Sequence, residues 1–342
     1  MNTEMNSASQ AAARETPNRN LALELVRVTE AAALASSHWM GRGQKEAGDG
    51  AAVEAMRLIL ATVDMEGVVV IGEGAKDDAP MLYDGERIGN GFGPSVDVAV
   101  DPIEGTSLLA YGRPDAISVV AIAPRGTMWS PGPAFYMNKL VVGREARAAL
   151  HPGLLAAPVS ETLSAIAASL RKPVGDLTIF VLDKPRHQKL IADIREVGAR
   201  VLLRTDGDVA GALMAAMPNS GVDVLMGIGG TPEGVITACA VRALGGAMLG
   251  QLAPQKEDER KAIENAGLDP SRVLTELELV QSDDVFFAAT GITDGVLMPG
   301  VHYSGDGAST VSIVMRGKTG TVRKIHAEHR LDKLRDISAV VY

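Results

Sequence analysis

Cysteine is almost missing from this 342-residue chain. Cys239 stands alone, so the chain's own thiols can build neither an intramolecular disulfide nor a sulfur-ligated zinc or iron–sulfur site. It reads as a small core residue in a reducing compartment. Aromatics are scarce: 5 Phe, 5 Tyr and 2 Trp are too few for a row of base-stacking platforms along a single strand. Positive charge is in deficit, 33 Lys and Arg against 42 Asp and Glu, for a net charge of −9. A duplex-binding surface needs clustered cations to displace phosphate counterions, so no nucleic-acid partner is expected. No apolar run reaches the ~20 residues that span a bilayer. Met1 to Asn20 is polar and Ala-rich without the apolar stretch of a secretory signal. No membrane partner is expected, and the expected location is the cytoplasm.

What is present is an ordinary globular mixture, 46% hydrophobic and 22% charged, with an excess of 37 glycines. Residues 1–19 are expected to be a disordered N-terminal extension. Leu21, Leu25, Val28, Ala32 and Ala35 recur at helical spacing, and a second helix is expected to open at Asp49 or Gly50. Gly67 to Ile71 and Val96 to Val100 read as buried strands, stopping at Gly72-Glu73-Gly74 and at Asp101-Pro102. From Leu177 onward short apolar strands alternate with helices, which predicts a doubly wound α/β unit with right-handed crossovers. The organisation expected is an N-terminal α+β domain over 20–172 and a C-terminal α/β domain over 173–342. The apolar run Met128 to Tyr136 looks exposed and suited to subunit contacts.

Glu73, Asp101 and Glu104 each stand where a strand gives way to a loop, beside glycine or proline. Carboxylates at strand ends can converge on one cation, and hard divalent ions such as Mg²⁺ or Mn²⁺ take oxygen ligands. In Asp101-Pro102-Ile103-Glu104-Gly105-Thr106, Gly105 lets an anion approach the backbone, and a helix start after it leaves N–H groups free. The same hexapeptide also reads as a turn in which Glu104 and Thr106 cap a helix.

Six segments in register carry a resemblance: Val-Ile-Gly-Glu-Gly (70–74), Ala-Pro-Met-Leu-Tyr (79–83), Asp-Pro-Ile-Glu-Gly-Thr (101–106), Lys-Pro-Arg-His (184–187), Asp-Gly-Asp-Val-Ala (206–210) and Gly-Ile-Gly-Gly-Thr-Pro-Glu-Gly (227–234). The chain resembles the class II fructose-1,6-bisphosphatases, the GlpX-type branch of the metal-dependent, lithium-sensitive sugar and inositol phosphatases, over nearly all of 20–342. The resemblance implies a layered α-β-α-β-α sandwich. It places metal ligands at Asp49, Glu73, Asp101, Glu104 and Glu233, for two or more Mg²⁺ or Mn²⁺ ions. Without it Asp49 is an N-cap and Glu233 a first-turn residue answering the helix dipole.

By the same resemblance Thr106 orients the attacking water with an acidic neighbour at Asp77, and Lys45 neutralises phosphate charge. Substrate contacts would fall on Glu104, Gly105, Thr106, Tyr136, Lys184, Pro185, Arg186, Asp206, Gly207, Asp208 and Gly230. The chemistry is coherent: Lys184 and Arg186 flank Pro185 at a strand end and suit a distal phosphate, while Asp206 and Asp208 flank Gly207 and suit sugar hydroxyls. His187 reads as a first-turn helix residue with no catalytic role. The reaction implied is metal-assisted hydrolysis of the 1-phosphate of fructose 1,6-bisphosphate to fructose 6-phosphate by in-line attack of water, in a homodimer or homotetramer. Sedoheptulose 1,7-bisphosphate presents the same reactive end and stands as a second substrate; an inositol or nucleotide phosphatase would share the carboxylates without Lys184 and Arg186. The glycines at 227, 229, 230 and 234 raise a nucleotide-binding module as a further alternative, but their spacing fails the dinucleotide fingerprint.

Overall fold

The apolar stripe beginning at Leu21 forms α1 (Leu21–Ser37), which packs on α2 (Lys45–Leu60). The computed structural model describes residues 21–74 and 81–342; the extension expected over 1–19 lies outside the described residues. Helix α2 begins at Lys45 and not at Asp49 or Gly50, because the Gly48 N–H already bonds the Gln44 carbonyl. The stretch expected to be a loop is thus a first turn and a half, and Lys45 and Asp49 fall on one helix face. The remaining helices are α3 (Thr106–Ala110), α4 (Val159–Leu170), α5 (Gln188–Glu196), α6 (Asp208–Ala216), α7 (Thr231–Leu244), α8 (Glu257–Asn265), α9 (Glu276–Leu279) and α10 (Leu331–Ile337).

Two mixed sheets carry the described strands. The first joins β1 (Glu66–Ile71), β2 (Arg87–Ile88), β3 (Ser95–Glu104) and β4 (Ile117–Pro124) to β11 (Phe286–Gly291), β12 (His302–Ser304), β13 (Gly307–Arg316) and β14 (Thr321–Arg330). Its order is β12-β13-β11-β4-β3-β1-β2, with β14 also paired to β13. The second holds β5 (Tyr136–Val142), β6 (Thr178–Leu182), β7 (Arg200–Arg204), β8 (Val224–Gly230), β9 (Ala247–Leu252) and β10 (Val273–Thr275), in the order β10-β9-β5-β8-β6-β7.

Strands β7, β6 and β8 are parallel, as the strand–helix alternation predicts. The doubly wound unit stops there. Strand β5, from earlier in the chain, occupies the place between β8 and β9 and runs antiparallel to both. Nor do the sheets divide at 172/173: β5 belongs to the second sheet, and β11 to β14 return to the first.

Alternate residues of each strand face opposite layers. In β3, Val96, Val98 and Val100 pack under α1 and α2, while Ala99 turns toward α6 and α7. In β6, Phe180 and Leu182 face α6 and α7, while Ile179 and Val181 meet α4 and α5. The result is the expected α-β-α-β-α stack, with α6 and α7 as the middle layer. The central strands are covered on both faces, and Glu73, Asp101 and Glu104 stand at the C-terminal ends of β1 and β3, which is where ligands bind in such sheets. The run Met128 to Tyr136 is exposed only in part: Met128, Pro131 and Ala134 are buried, Ser130, Gly132 and Phe135 are exposed, and Phe135 is its one exposed large apolar side chain.

Where α1 crosses β13, Glu30 accepts a hydrogen bond from Thr310 at 3.3 Å, and that hydroxyl also meets Nε2 of His329 at 2.8 Å. Burial pushes the Glu30 carboxyl up from 4.5 to about 7. The folded chain therefore holds a proton there that the unfolded chain releases. The stability this contributes is complete below pH 4.5 and is lost as pH rises through about 7. A Glu30→Gln variant should denature at nearly the wild-type urea concentration at pH 4.5 and at a higher one at pH 8. Equal shifts at the two pH values would refute the assignment.

Candidate active site

A cleft of about 720 Å³ opens between the sheets, at the C-terminal ends of β1, β3, β6 and β8. The first sheet and its helices bring Lys45, Asp49, Glu73, Asp101, Glu104, Gly105 and Thr106 to it. The second brings Tyr136, Lys184, Arg186, Asp206, Asp208, Gly230 and Glu233. Of the residues the sequence singles out, Pro185 and Gly207 do not line the cleft, and Asp77 lies outside the described residues.

Local structure explains these placements. Lys45 and Asp49 share the cleft-facing side of α2, and Lys45 Nζ donates to Ser107 Oγ at 2.8 Å. Thr106 is the first residue of α3, and its hydroxyl donates to the Ile103 carbonyl at 3.2 Å, which leaves its lone pairs free to accept. Gly207 caps α6 with φ +90°, a left-handed conformation that favours glycine, and so swings the Val209 N–H onto Glu104 Oε1 at 3.1 Å. On the opposite wall Arg186 donates through Nε and Nη2 to the Ile228 carbonyl, at 3.1 and 2.8 Å, and lies 5.2 Å from the Tyr136 ring centroid.

The acidic groups disturb one another. Burial raises Asp101 well above the usual carboxylate range, with Glu233, Glu73 and Asp49 adding like-charge repulsion. Burial, then Asp49 and Glu233, pushes Glu73 up to about 7. Glu104 is raised by burial, Asp208 and Asp101; Glu233 by burial and Asp208; Asp49 by burial and Glu46. Repulsion of this kind marks carboxylates gathered for a shared cation.

Two buried oxygens, Glu104 Oε2 and Glu233 Oε2, have no hydrogen-bond partner among the described residues. No three side chains among those residues stand in a finished coordination sphere. The donor set is all carboxylate, and with its two unpaired oxygens it fits hard divalent cations.

Sequence reading missed Lys139, Glu46, Phe135 and Gly229. Glu46, Phe135 and Gly229 line the cleft. Lys139 is 2% exposed; its Nζ pairs with Asp208 and donates to the Gly230 carbonyl at 2.8 Å. Its signal was visible: in Tyr-Met-Asn-Lys-Leu-Val-Val it shares the inward face with Met137 and Val141. A charge on a core-facing position asks for a partner.

A five-layer sandwich whose inter-sheet cleft holds carboxylates and a Lys and Arg pair is the architecture that the resemblance to the layered sugar phosphatases implies. Comparison with known proteins narrows this: residues 19–329 match the family described as bacterial fructose-1,6-bisphosphatase, glpX-encoded, and the chain belongs to it. It is 44% identical over 328 residues to fructose-1,6-bisphosphatase 1 class 2 of Escherichia coli K12, covering 92% of this chain and 96% of that protein. The class 2 fructose-1,6-bisphosphatases of Escherichia coli O6:H1 and Shigella flexneri match to the same extent, 44% over 328 residues. Among the described residues no helix is long and apolar enough to cross a membrane.

Gly230 has an ordinary φ of −69°, but a Cβ there would sit 1.7 Å from Glu233 Oε2. The flexible carboxylate would yield before the strand does. A Gly230→Ala variant should keep its far-UV circular dichroism and melting temperature while Mn²⁺ binding, measured by titration calorimetry, weakens about 10- to 100-fold. Wild-type Mn²⁺ affinity would mean that Glu233 is no ligand.

Proposed function

We propose that this chain hydrolyses the 1-phosphate of fructose 1,6-bisphosphate to give fructose 6-phosphate and phosphate. The observation that supports this most directly is the lining of one cleft: five carboxylates with Thr106 and Lys45, together with the cations Lys184 and Arg186. Such an arrangement suits a ligand with an anionic group at each end and hydroxyls between.

Asp49, Glu73, Asp101, Glu104 and Glu233 are the residues that would hold divalent cations. When bound, Mg²⁺ or Mn²⁺ supplies positive charge at the reacting phosphate and lowers the pKa of water. The chain's own groups do the rest. Thr106, with its proton committed to the Ile103 carbonyl, accepts a hydrogen bond from water and holds it in line with the phosphorus. Lys45, steadied by Ser107, offsets negative charge that grows on the phosphoryl oxygens. Asp206 and Asp208 accept from sugar hydroxyls, and Lys184 and Arg186 hold the distal phosphate by charge-assisted hydrogen bonds.

The decisive assay is phosphate release from fructose 1,6-bisphosphate and sedoheptulose 1,7-bisphosphate in parallel, with Mg²⁺, with Mn²⁺ and with chelator. Expected is metal-dependent release from the fructose substrate that chelator abolishes. Glu104→Gln should lower kcat on the order of 10³-fold, about 4 kcal/mol in barrier, with the fold retained. Full turnover in that variant, or no release from either sugar by folded protein with metal, would overturn the reading.

A further inference from the structure

His187 has no role in the chemistry above, yet it is 2% exposed and bonded at both ring nitrogens. It closes the short 3-10 turn Pro185–His187 that follows β6. Strands β6 and β8 pair only at Ile179 with Val224 and Phe180 with Leu225, and beyond that the ladder opens. The imidazole spans the opening: Nδ1 lies 2.7 Å from the Leu182 carbonyl, and the Ile228 N–H donates to Nε2 at 2.7 Å. A peptide N–H can only donate, so Nε2 is the acceptor and Nδ1 carries the proton.

Room for the ring comes from Gly227, at φ +126°, where a Cβ would lie 2.9 Å from Nε2. The charged groups facing His187 are Lys184 and Arg186 from its own segment and Asp208 from α6. Burial holds its pKa below the ordinary 6.5, as a neutral ring requires.

Residues 186 and 187 grip one residue of β8 from both sides. His187 takes the Ile228 N–H, and Arg186 donates twice to the Ile228 carbonyl. The guanidinium's remaining N–H groups are left for the cleft that Arg186 lines. We infer that His187 is a positioning residue: by fixing the Ile228 peptide it aims Arg186 at the phosphate farthest from the reacting one. This rests on the reading of the cleft as a sugar-bisphosphate site.

The test is calorimetric binding of fructose 6-phosphate, which carries only the distal phosphate, to the full chain and its variants. His187→Phe should weaken binding about tenfold, and His187→Gln, whose amide oxygen can still accept the Ile228 N–H, should recover most of it. If His187 acts through Arg186, then His187→Phe combined with Arg186→Gln loses no more than Arg186→Gln alone. With fructose 1,6-bisphosphate, KM should rise about tenfold in His187→Phe while kcat stays within twofold.

Additive losses in the double variant, no rescue by Gln, or a loss in kcat instead of KM would overturn the inference. Should His187→Phe fail to fold, nitrogen-15 shifts of the wild-type ring still decide. A neutral Nδ1–H tautomer at pH 6 supports the geometry, and a ring half-protonated near 6.5 refutes it. Wild-type protein that binds fructose 6-phosphate yet releases no phosphate from the bisphosphate would sink the proposed reaction and leave this inference standing. Wild-type protein that does not bind fructose 6-phosphate would sink the inference.

Discussion

Like charges packed where water is scarce set the terms for this molecule. Asp49, Glu73, Asp101, Glu104, Asp206, Asp208 and Glu233 all face one cleft, and removing a carboxylate from water without a partner costs several kcal/mol. The fold answers with groups that it holds rigidly. The Val209 amide meets Glu104, the buried Lys139 ammonium meets Asp208, and Glu233 sits in the first turn of α7, where the helix dipole favours an anion. These partners leave Glu104 Oε2 and Glu233 Oε2 unpaired. The protein's own groups offset part of the repulsion, and the rest is what a divalent cation bound there would offset.

The five-layer stack makes that crowding tolerable. Each wall belongs to a different sheet, and the middle helices α6 and α7 are anchored in the cluster that joins both sheets through Phe180, Phe287, Leu213 and Ile236. Phe287 arrives on β11, from the last quarter of the chain. Strand β11 faces both ways, with Phe286 and Ala288 in the cluster under α1 and α2 and Phe287 and Ala289 in the cluster of α6 and α7, so the late strands tie the two sides of the cleft through one sheet. A carboxylate on one wall therefore cannot relax away from a carboxylate on the other by a simple hinge between chain halves.

The parts of this arrangement that rest on local signals were readable in the sequence. Strand-end acids at 73, 101 and 104 followed from apolar runs broken by glycine and proline, and helical stripes and the parallel trio β6, β7 and β8 followed from periodicity. Non-local facts were not readable. The place of β5 between β8 and β9, and the return of β11 to β14 to the first sheet, depend on which edges remain open after other strands have paired. The early start of α2 was hidden because Gly41, Gly43 and Gly48 mimic a loop, although only the first two adopt positive φ. Lys139 was missed although its core-facing position asks for a partner, and His187 was read as an ordinary first-turn residue because its partners on β6 and β8 come into view only in the fold.

The glycines of Gly227-Ile228-Gly229-Gly230 show how far composition can mislead without geometry. In sequence they raise a nucleotide-binding module, although their spacing fails the dinucleotide fingerprint. In the fold each stands where a side chain from another segment must pass. A Cβ at 227 would meet His187 Nε2 at 2.9 Å, one at 229 would meet Asp208 Oδ2 at 1.8 Å, and one at 230 would meet Glu233 Oε2 at 1.7 Å. These residues are in β8, paired to β5, and not in a free turn. The missing Cβ atoms make space for an imidazole and two carboxylates. The strand thus serves as a template against which Arg186, Asp208 and Glu233 are set side by side.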